Sequence, residues 1–278
     1  MYEPAIKWVG SKRRQAEEIL KYFPKEIDVY YEPFCGGASV LRRLLSSDIK
    51  VNKYVCSDIN RDLIGLWIAI RDRPREVMEH YEKLWVELNK DEDIARKKKY
   101  YCSIRERLNK EHNPLDFMFI MRTAINGMPR YNGKGEFNSA FHITRKGIEP
   151  KRLEEIVTEW SNLLQEKRVE FKVGSYEEIQ TQRGDWLYLD PPYANTKGLY
   201  FGGIDVNKLW DWLRRQESGY ALSYDGISGD KDSTEEIPRE LYDKHIYISN
   251  GKSGIKRVLC NGTDAKVYES LYIKEVIK

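Results

Sequence analysis

Apolar positions along the chain alternate between two periods. Ala16, Ile19, Leu20 and Phe23 follow the i, i+3, i+4, i+7 spacing of one helix face, and Pro24 closes it. Val29 to Glu32 reads as a short strand running into Pro33-Phe34-Cys35-Gly36-Gly37-Ala38, after which VLRRLL resumes the helical period. This is strand, glycine turn, helix. A second β-rich run, Val51 to Cys56, leads to Asp58, and Asp62, Leu63, Ile64, Trp67 and Ile68 start another amphipathic helix. The order β-α-β-α predicts a parallel sheet.

From about Asp72 to Pro150 the alternation stops. Residues 74–112 carry a charged helical pattern, followed by the apolar stretch LDFMFIM and the turn-rich NGMPRYNGKGEFNSAF. Asn132-Gly133, with Gly135, predicts a tight hairpin between Arg130 and Phe137 with a basic, polar tip. The α/β pattern then returns. Leu153, Ile156, Val157, Trp160, Leu163 and Leu164 share a helix face; Val169 to Val173 and Trp186 to Leu189 read as strands; Leu209, Trp210 and Leu213 mark a helix. Strands at Tyr220 to Ser223, His245 to Ser249 and Val267 to Ile273 complete a mostly parallel sheet of about seven strands. The expected fold class is α/β, with an inserted, mostly helical module bearing a β-hairpin.

Composition narrows the class. Of 278 residues, 47 are Lys or Arg and 44 are Asp or Glu, a net charge of +3 with 41% hydrophobic residues, as in a globular protein. The longest uncharged apolar runs, such as Leu63 to Ile70, fall far short of the roughly 20 residues that span a bilayer. No secretory signal is visible in MYEPAIKWVGSKRR, so a cytoplasmic setting is expected. Cys35, Cys56, Cys102 and Cys260 lack C-x-x-C spacing, and His80, His112, His142 and His245 are scattered. Neither a disulfide framework nor a metal site is expected. The charge is uneven, however. Basic residues outnumber acidic ones by six to three over 1–25, seven to two over 122–152 and four to one over 250–266. Three such segments could line one nucleic-acid groove, or be scattered solvated charge.

Two motifs carry candidate chemistry. Gly36 and Gly37 stand at the tip of the first strand, where missing Cβ atoms let a ligand reach the backbone. The third glycine of a dinucleotide fingerprint is absent. Asp58, 21 residues after Gly37, stands where an acidic side chain bonds ribose hydroxyls in nucleoside-binding α/β folds. A nucleoside cofactor without a diphosphate fits these features, as does a structural turn with a capping aspartate. Asp190-Pro191-Pro192-Tyr193 is more specific. Two prolines after a buried strand fix φ twice and remove two N–H donors, so carboxylate and ring keep one relation. That arrangement suits a planar base with an exocyclic amine: Tyr193 to stack, Asp190 and the Pro191 carbonyl to accept two N–H bonds. An ordinary proline turn is the plainer alternative.

KWVGSK, EPFCGGASV, SDINRDLI, NGMPRYNGKGEFN and YLDPPY occur in the order and approximate spacing found in Dam-type DNA adenine N6-methyltransferases, and the chain resembles that alpha-group family. The similarity runs from about Ile6 to Tyr193 and continues weakly through LSYDG and NGTDAKVYESLYI. It implies methyl transfer from S-adenosylmethionine (SAM), leaving S-adenosylhomocysteine, to the N6 amino group of an adenine flipped out of duplex DNA at a specific site. It implies a Rossmann-like catalytic domain of residues 1–66 and 151–278 and an inserted target-recognition domain of residues 67–150. Trp8, Lys12, Phe34, Cys35, Gly36, Gly37, Asp58, Tyr176 and Asp190 are then expected to hold the cofactor, and Asp190, Pro191, Pro192 and Tyr193 the target adenine. Lys7, Asn126, Met128, Arg130, Asn132 and Lys134 are expected at the DNA. Ile125 departs from the family, whose best-known members carry an aromatic there. No metal is implied. The resemblance points to a bacterial, archaeal or phage-encoded enzyme and raises a partner restriction endonuclease in a restriction-modification system.

An N4-cytosine methyltransferase is the nearest alternative, since the same motif serves either exocyclic amine. RNA or protein-glutamine N-methyltransferases, a non-catalytic nucleic-acid-binding protein of the same fold and a nicotinamide dehydrogenase are more distant ones.

Overall fold

A computed structural model describes residues 2–144, 146–192, 204–228, 231–232, 234, 236–252 and 266–275. In chain order the elements are α1 (Ala16–Leu20), β1 (Glu26–Glu32), α2 (Ser39–Leu44), β2 (Lys50–Asp58), α3 (Arg61–Asp72), α4 (Pro74–Asn89), α5 (Ile94–Glu111) and α6 (Pro114–Thr123). They continue with α7 (Pro150–Glu166), β3 (Glu170–Val173), β4 (Trp186–Leu189), α8 (Val206–Leu213), β5 (Gly219–Ser228), β6 (Lys231–Asp232), β7 (Lys244–Lys252) and β8 (Lys266–Lys274). Among the described residues, a sheet unit comprises 12–56, 175–192 and 204–275, and a helical unit comprises 2–11 and 57–174.

In the sheet unit the strand order is β2-β1-β4-β5-β8-β7, with β6 beside β5. β2, β1, β4 and β5 run parallel, with Glu32 opposite Cys56, Tyr31 opposite Leu187 and Leu189 opposite Leu222. β8 lies antiparallel between β5 and β7. The parallel core is what the alternating periods predict, and β8 and β7 add an antiparallel edge to it. All four residues of β4 are buried, which is why its sequence shows a continuous apolar run. Phe23, Tyr30, Trp186 and Tyr188 pack as one aromatic group; Leu187, Leu189, Leu209, Trp212 and Leu222 belong to another core cluster. β5 outruns its apolar segment because a register shift between Tyr224 and Ile227 lets it continue beside β8.

In the helical unit, side chains cap the helices. The carboxamide oxygens of Asn60 and Asn113 and the Asp93 carboxylate accept first-turn N–H groups of α3, α6 and α5. α6, the LDFMFIM stretch, is buried from Asp116 to Thr123. Its fully buried Asp116 accepts two bonds from Arg107, at 2.6 and 2.5 Å, and pairs with His80 at 2.7 Å. Burial would raise the Asp116 pKa, but His80 and Arg107 outweigh it and hold it low. Trp67 packs on Trp160 at 4.8 Å between ring centroids and stacks on Phe171 at 5.8 Å. No helix among the described residues is long and apolar enough to cross a membrane.

The segment after α6 differs from a regular hairpin. Only single bridges join its arms, Tyr131 to Phe137 and Ala124 to Phe141. The tip is wider than a two-residue turn because Asn132 Oδ1 accepts the N–H groups of both Lys134 and Glu136, with the positive φ falling at Gly135.

Candidate active site and DNA-contacting loop

β1 ends at Glu32, and the chain turns through Pro33 to Ala38 into α2, with Gly36 at φ +44 and Ala38 at φ +51. Cys35, Gly36 and Gly37 are buried in this turn. The Phe34 ring lies 5.4 Å from that of Tyr176, which meets Trp212 edge-on at 5.2 Å. Tyr176 sits just after β3 in a single helical turn fixed by a Ser175–Glu178 capping box. The sheet unit thus brings Phe34 and Tyr176 together beside a turn whose glycines present no side chain.

Asp190 follows β4 directly and meets Lys12. The ammonium is 2.7 Å from Asp190 Oδ1 and 3.3 Å from Glu269 Oε2, with side chains 4%, 21% and 15% exposed for Lys12, Asp190 and Glu269. Lys12 is held there by the turn leading into α1, its carbonyl accepting from Gln15 and Ala16. Burial opposes its charge, but Asp190 and Glu269 outweigh that cost and place its pKa above the ordinary lysine value. Glu32, 3% exposed, accepts a 2.6 Å bond from the Tyr30 hydroxyl. Burial pushes its pKa up to about 8, against the Tyr30 bond and aided by the Asp190 charge. Pro191 is buried and Pro192 half-buried; Tyr193 lies outside the described residues.

The helical unit holds the other expected residues. Asp58 ends β2, accepts the Asn60 N–H through Oδ1 at 3.0 Å, and receives the Gly174 N–H at its carbonyl. The segment carrying Lys7 and Trp8 is pinned by the buried Arg122 of α6, whose Nε donates to the Ala5 carbonyl at 3.0 Å, and by Trp160, which donates to the Glu3 carbonyl. Lys7 therefore lies against Gly127, at φ +62, where a Cβ would stand 2.5 Å from Lys7 Cβ. Asn126, Met128 and Arg130 flank that contact: Asn126 and Arg130 are exposed, Met128 half-buried and Ile125 exposed. Asn132 and Lys134 form the tip. Of the third basic segment, residues 253–265 lie outside the described residues.

Residues 8–208 match the family model of the D12 class N6 adenine-specific DNA methyltransferase. The chain belongs to this family. It is 32% identical to the Type II methyltransferase M.MjaIII of Methanocaldococcus jannaschii, over 99% of this chain and 91% of that protein. It is 30% identical to the DNA adenine methylases of Vibrio cholerae and Escherichia coli K12, over 68% of this chain and 64% of each of those. The activity of this D12-class enzyme is methylation of adenine N6 in DNA.

Several residues that shape these sites are not singled out by sequence motifs. Tyr101 and Asn109 of α5 brace the loop after α6: Tyr101 donates to the Ser139 carbonyl at 3.0 Å, and Asn109 exchanges two bonds with the Phe137 backbone. Ser139 donates to the Met128 carbonyl and accepts the Arg130 N–H, fixing the backbone on both sides of Pro129. Asn60 spends its carboxamide oxygen on the α3 cap and its Nδ2 on the Tyr131 hydroxyl at 2.6 Å. The SDIN motif and the loop are thereby joined. Glu269 and Glu32 give no signal beyond being acidic residues inside apolar strands, a pattern that itself marks buried charge.

Proposed function

We propose that this methyltransferase uses SAM to methylate N6 of an adenine turned out of duplex DNA at a specific sequence. The pair of buried Lys12 and half-buried Asp190 carries the reading: it holds a carboxylate at the end of β4, directly before two prolines. An acceptor so fixed can meet a substrate amine without reorganising. Asp190 and the Pro191 carbonyl would accept hydrogen bonds from both N6 hydrogens, freeing the nitrogen lone pair from the ring, so no strong base is required; once methylated, the cationic N6 would release one proton through Asp190 to solvent. Pro192 and Tyr193 would hold and stack the base, offsetting the roughly few kcal/mol that extrusion costs.

The residues present fit a sulfonium nucleoside. A turn lacking Cβ atoms at Gly36 and Gly37 lies beside the paired Phe34 and Tyr176 rings, which suits a purine edge and a backbone-bonded tail. SAM, when bound, supplies an electrophilic methyl group and leaves as S-adenosylhomocysteine. In this proposal Trp8, Lys12, Phe34, Cys35, Gly36, Gly37, Tyr176 and Asp190 line its site, and Asp58 binds the ribose hydroxyls.

Residues 1–66 and 151–278 would form the catalytic domain and 67–150 the target-recognition domain. Lys7, Asn126, Met128, Arg130, Asn132 and Lys134 would contact the duplex; the approach of Lys7 to Gly127 supports grouping them. Similarity to a protein named Type II methyltransferase supports a place in a restriction-modification system; a partner endonuclease and a cytoplasmic setting belong to the same proposal. Incubation with SAM and unmethylated plasmid, followed by sequencing that reports modified bases, tests the reading. N6-methyladenine in one short context is expected; N4-methylcytosine, or no modification, would overturn it.

A further inference from the structure

We infer that Glu269 is a positioning residue for methyl transfer, acting on Asp190 through the buried Lys12 ammonium. The inference rests on the assignment of Asp190 as the acceptor of the substrate amine.

Lys12 lies between two carboxylates from different strands: Asp190 just after β4 and Glu269 within β8. A buried ammonium needs a partner, because losing its hydration costs several kcal/mol. One carboxylate would suffice for that. If Asp190 alone neutralised Lys12, however, its electron density would be drawn to the ammonium and it would accept poorly from a substrate N–H. Glu269 shares the ammonium, so the three groups carry a net single negative charge, and the surplus lies where the amine hydrogens would arrive. Glu269 also gives the flexible lysine stem a second anchor, which fixes the ammonium against which Asp190 is set.

The backbone of the sheet supplies an independent observation. Tyr224 pairs with Ser270 and Ile227 with Tyr268, so Asp225 and Gly226 of β5 stand opposite Glu269 alone. That is a bulge, a device that re-aims a side chain. Gly226 makes it fit: a Cβ there would lie 2.3 Å from the Tyr268 oxygen and 3.0 Å from Glu269 Cα. The LSYDG sequence thereby gains a role, as the wall that sets Glu269.

The test compares the full-length wild type with Glu269→Gln and Glu269→Asp. Glu269→Gln is expected to lower kcat about tenfold or more, with KM for DNA and Kd for SAM within about threefold. Glu269→Asp should recover part of the loss. A second readout does not depend on turnover: an amine-reactive acylating reagent, followed by peptide mass spectrometry, should modify Lys12 about fivefold faster or more in Glu269→Gln, because its ammonium loses a stabilising charge. A wild-type kcat in Glu269→Gln would overturn the inference, as would a fall in kcat that only tracks lost folded protein with Lys12 labelling unchanged. If the wild type forms no N6-methyladenine, the functional reading fails instead, and the labelling still decides whether Glu269 holds Lys12.

Discussion

Lys12 Nζ stands 2.7 Å from Asp190 Oδ1 with 4% of the lysine side chain exposed, so the basic N-terminal motif and the acidic end of β4 are one ionic structure. Lys12→Met keeps the length and removes the charge, leaving two half-buried carboxylates uncompensated. The expected cost is about 1–3 kcal/mol. The folded-state pKa of Lys12 is raised above the ordinary value of 10.5, so its contribution is complete below that value and is lost only as pH rises through the higher folded one. The deficit of Lys12→Met should therefore be flat from about pH 6 to about pH 9 in urea unfolding. A deficit that shrinks steadily across that window would contradict the pairing.

Glu32 gives the opposite pH behaviour. Its folded pKa of about 8 lies above its ordinary 4.5, chiefly through burial. Between these values the unfolded chain releases the proton and the folded chain keeps it, so stability falls as pH rises from the lower value and levels above the higher one. Glu32→Gln can still accept the Tyr30 hydroxyl and has no proton to lose. The variant should thus gain on the wild type steadily between about pH 5 and about pH 8, measured by paired denaturant titrations. A difference independent of pH would mean that Glu32 is not buried as a neutral acid.

Gly127 is the contact between the N-terminal segment and the loop. Gly127→Ala would place a Cβ 2.5 Å from that of Lys7 at a φ of +62. A stability loss of about 1 kcal/mol or more is expected. DNA affinity should weaken while SAM affinity, measured by calorimetry, stays within error. Unchanged DNA affinity would separate Lys7 from the recognition surface.

Arg130→Ala tests base reading in the same loop. Because its backbone is already fixed by Ser139, loss of the side chain should relax sequence discrimination by about 1–3 kcal/mol at one position. The measurement is methylation context by sequencing, with SAM affinity as the control. An unaltered context would reassign Arg130.

Much of the fold is legible because its signals are local. The strand at Trp186 to Leu189 and the helix face from Leu153 to Leu164 follow from short patterns. The bulge in β5 and the opened tip at Asn132 were not legible, since each depends on which hydrogen bonds a neighbouring segment or side chain supplies. The site divides the same way. Asp190, Pro191 and the glycine turn announce themselves by motif. The bond from Asn60 to Tyr131, the brace of Asn109 on Phe137 and the sharing of Lys12 by Glu269 join residues far apart in sequence. Nothing in a single chain's spacing encodes such pairs; only the folded register does.

The most direct test of the central claim is nucleoside mass spectrometry of DNA treated with SAM and either the wild type or Asp190→Ala, with SAM and DNA binding measured on the same samples. N6-methyladenine from the wild type alone, with both ligands still bound by the variant, is the predicted result. N6-methyladenine at the wild-type rate from Asp190→Ala would contradict it.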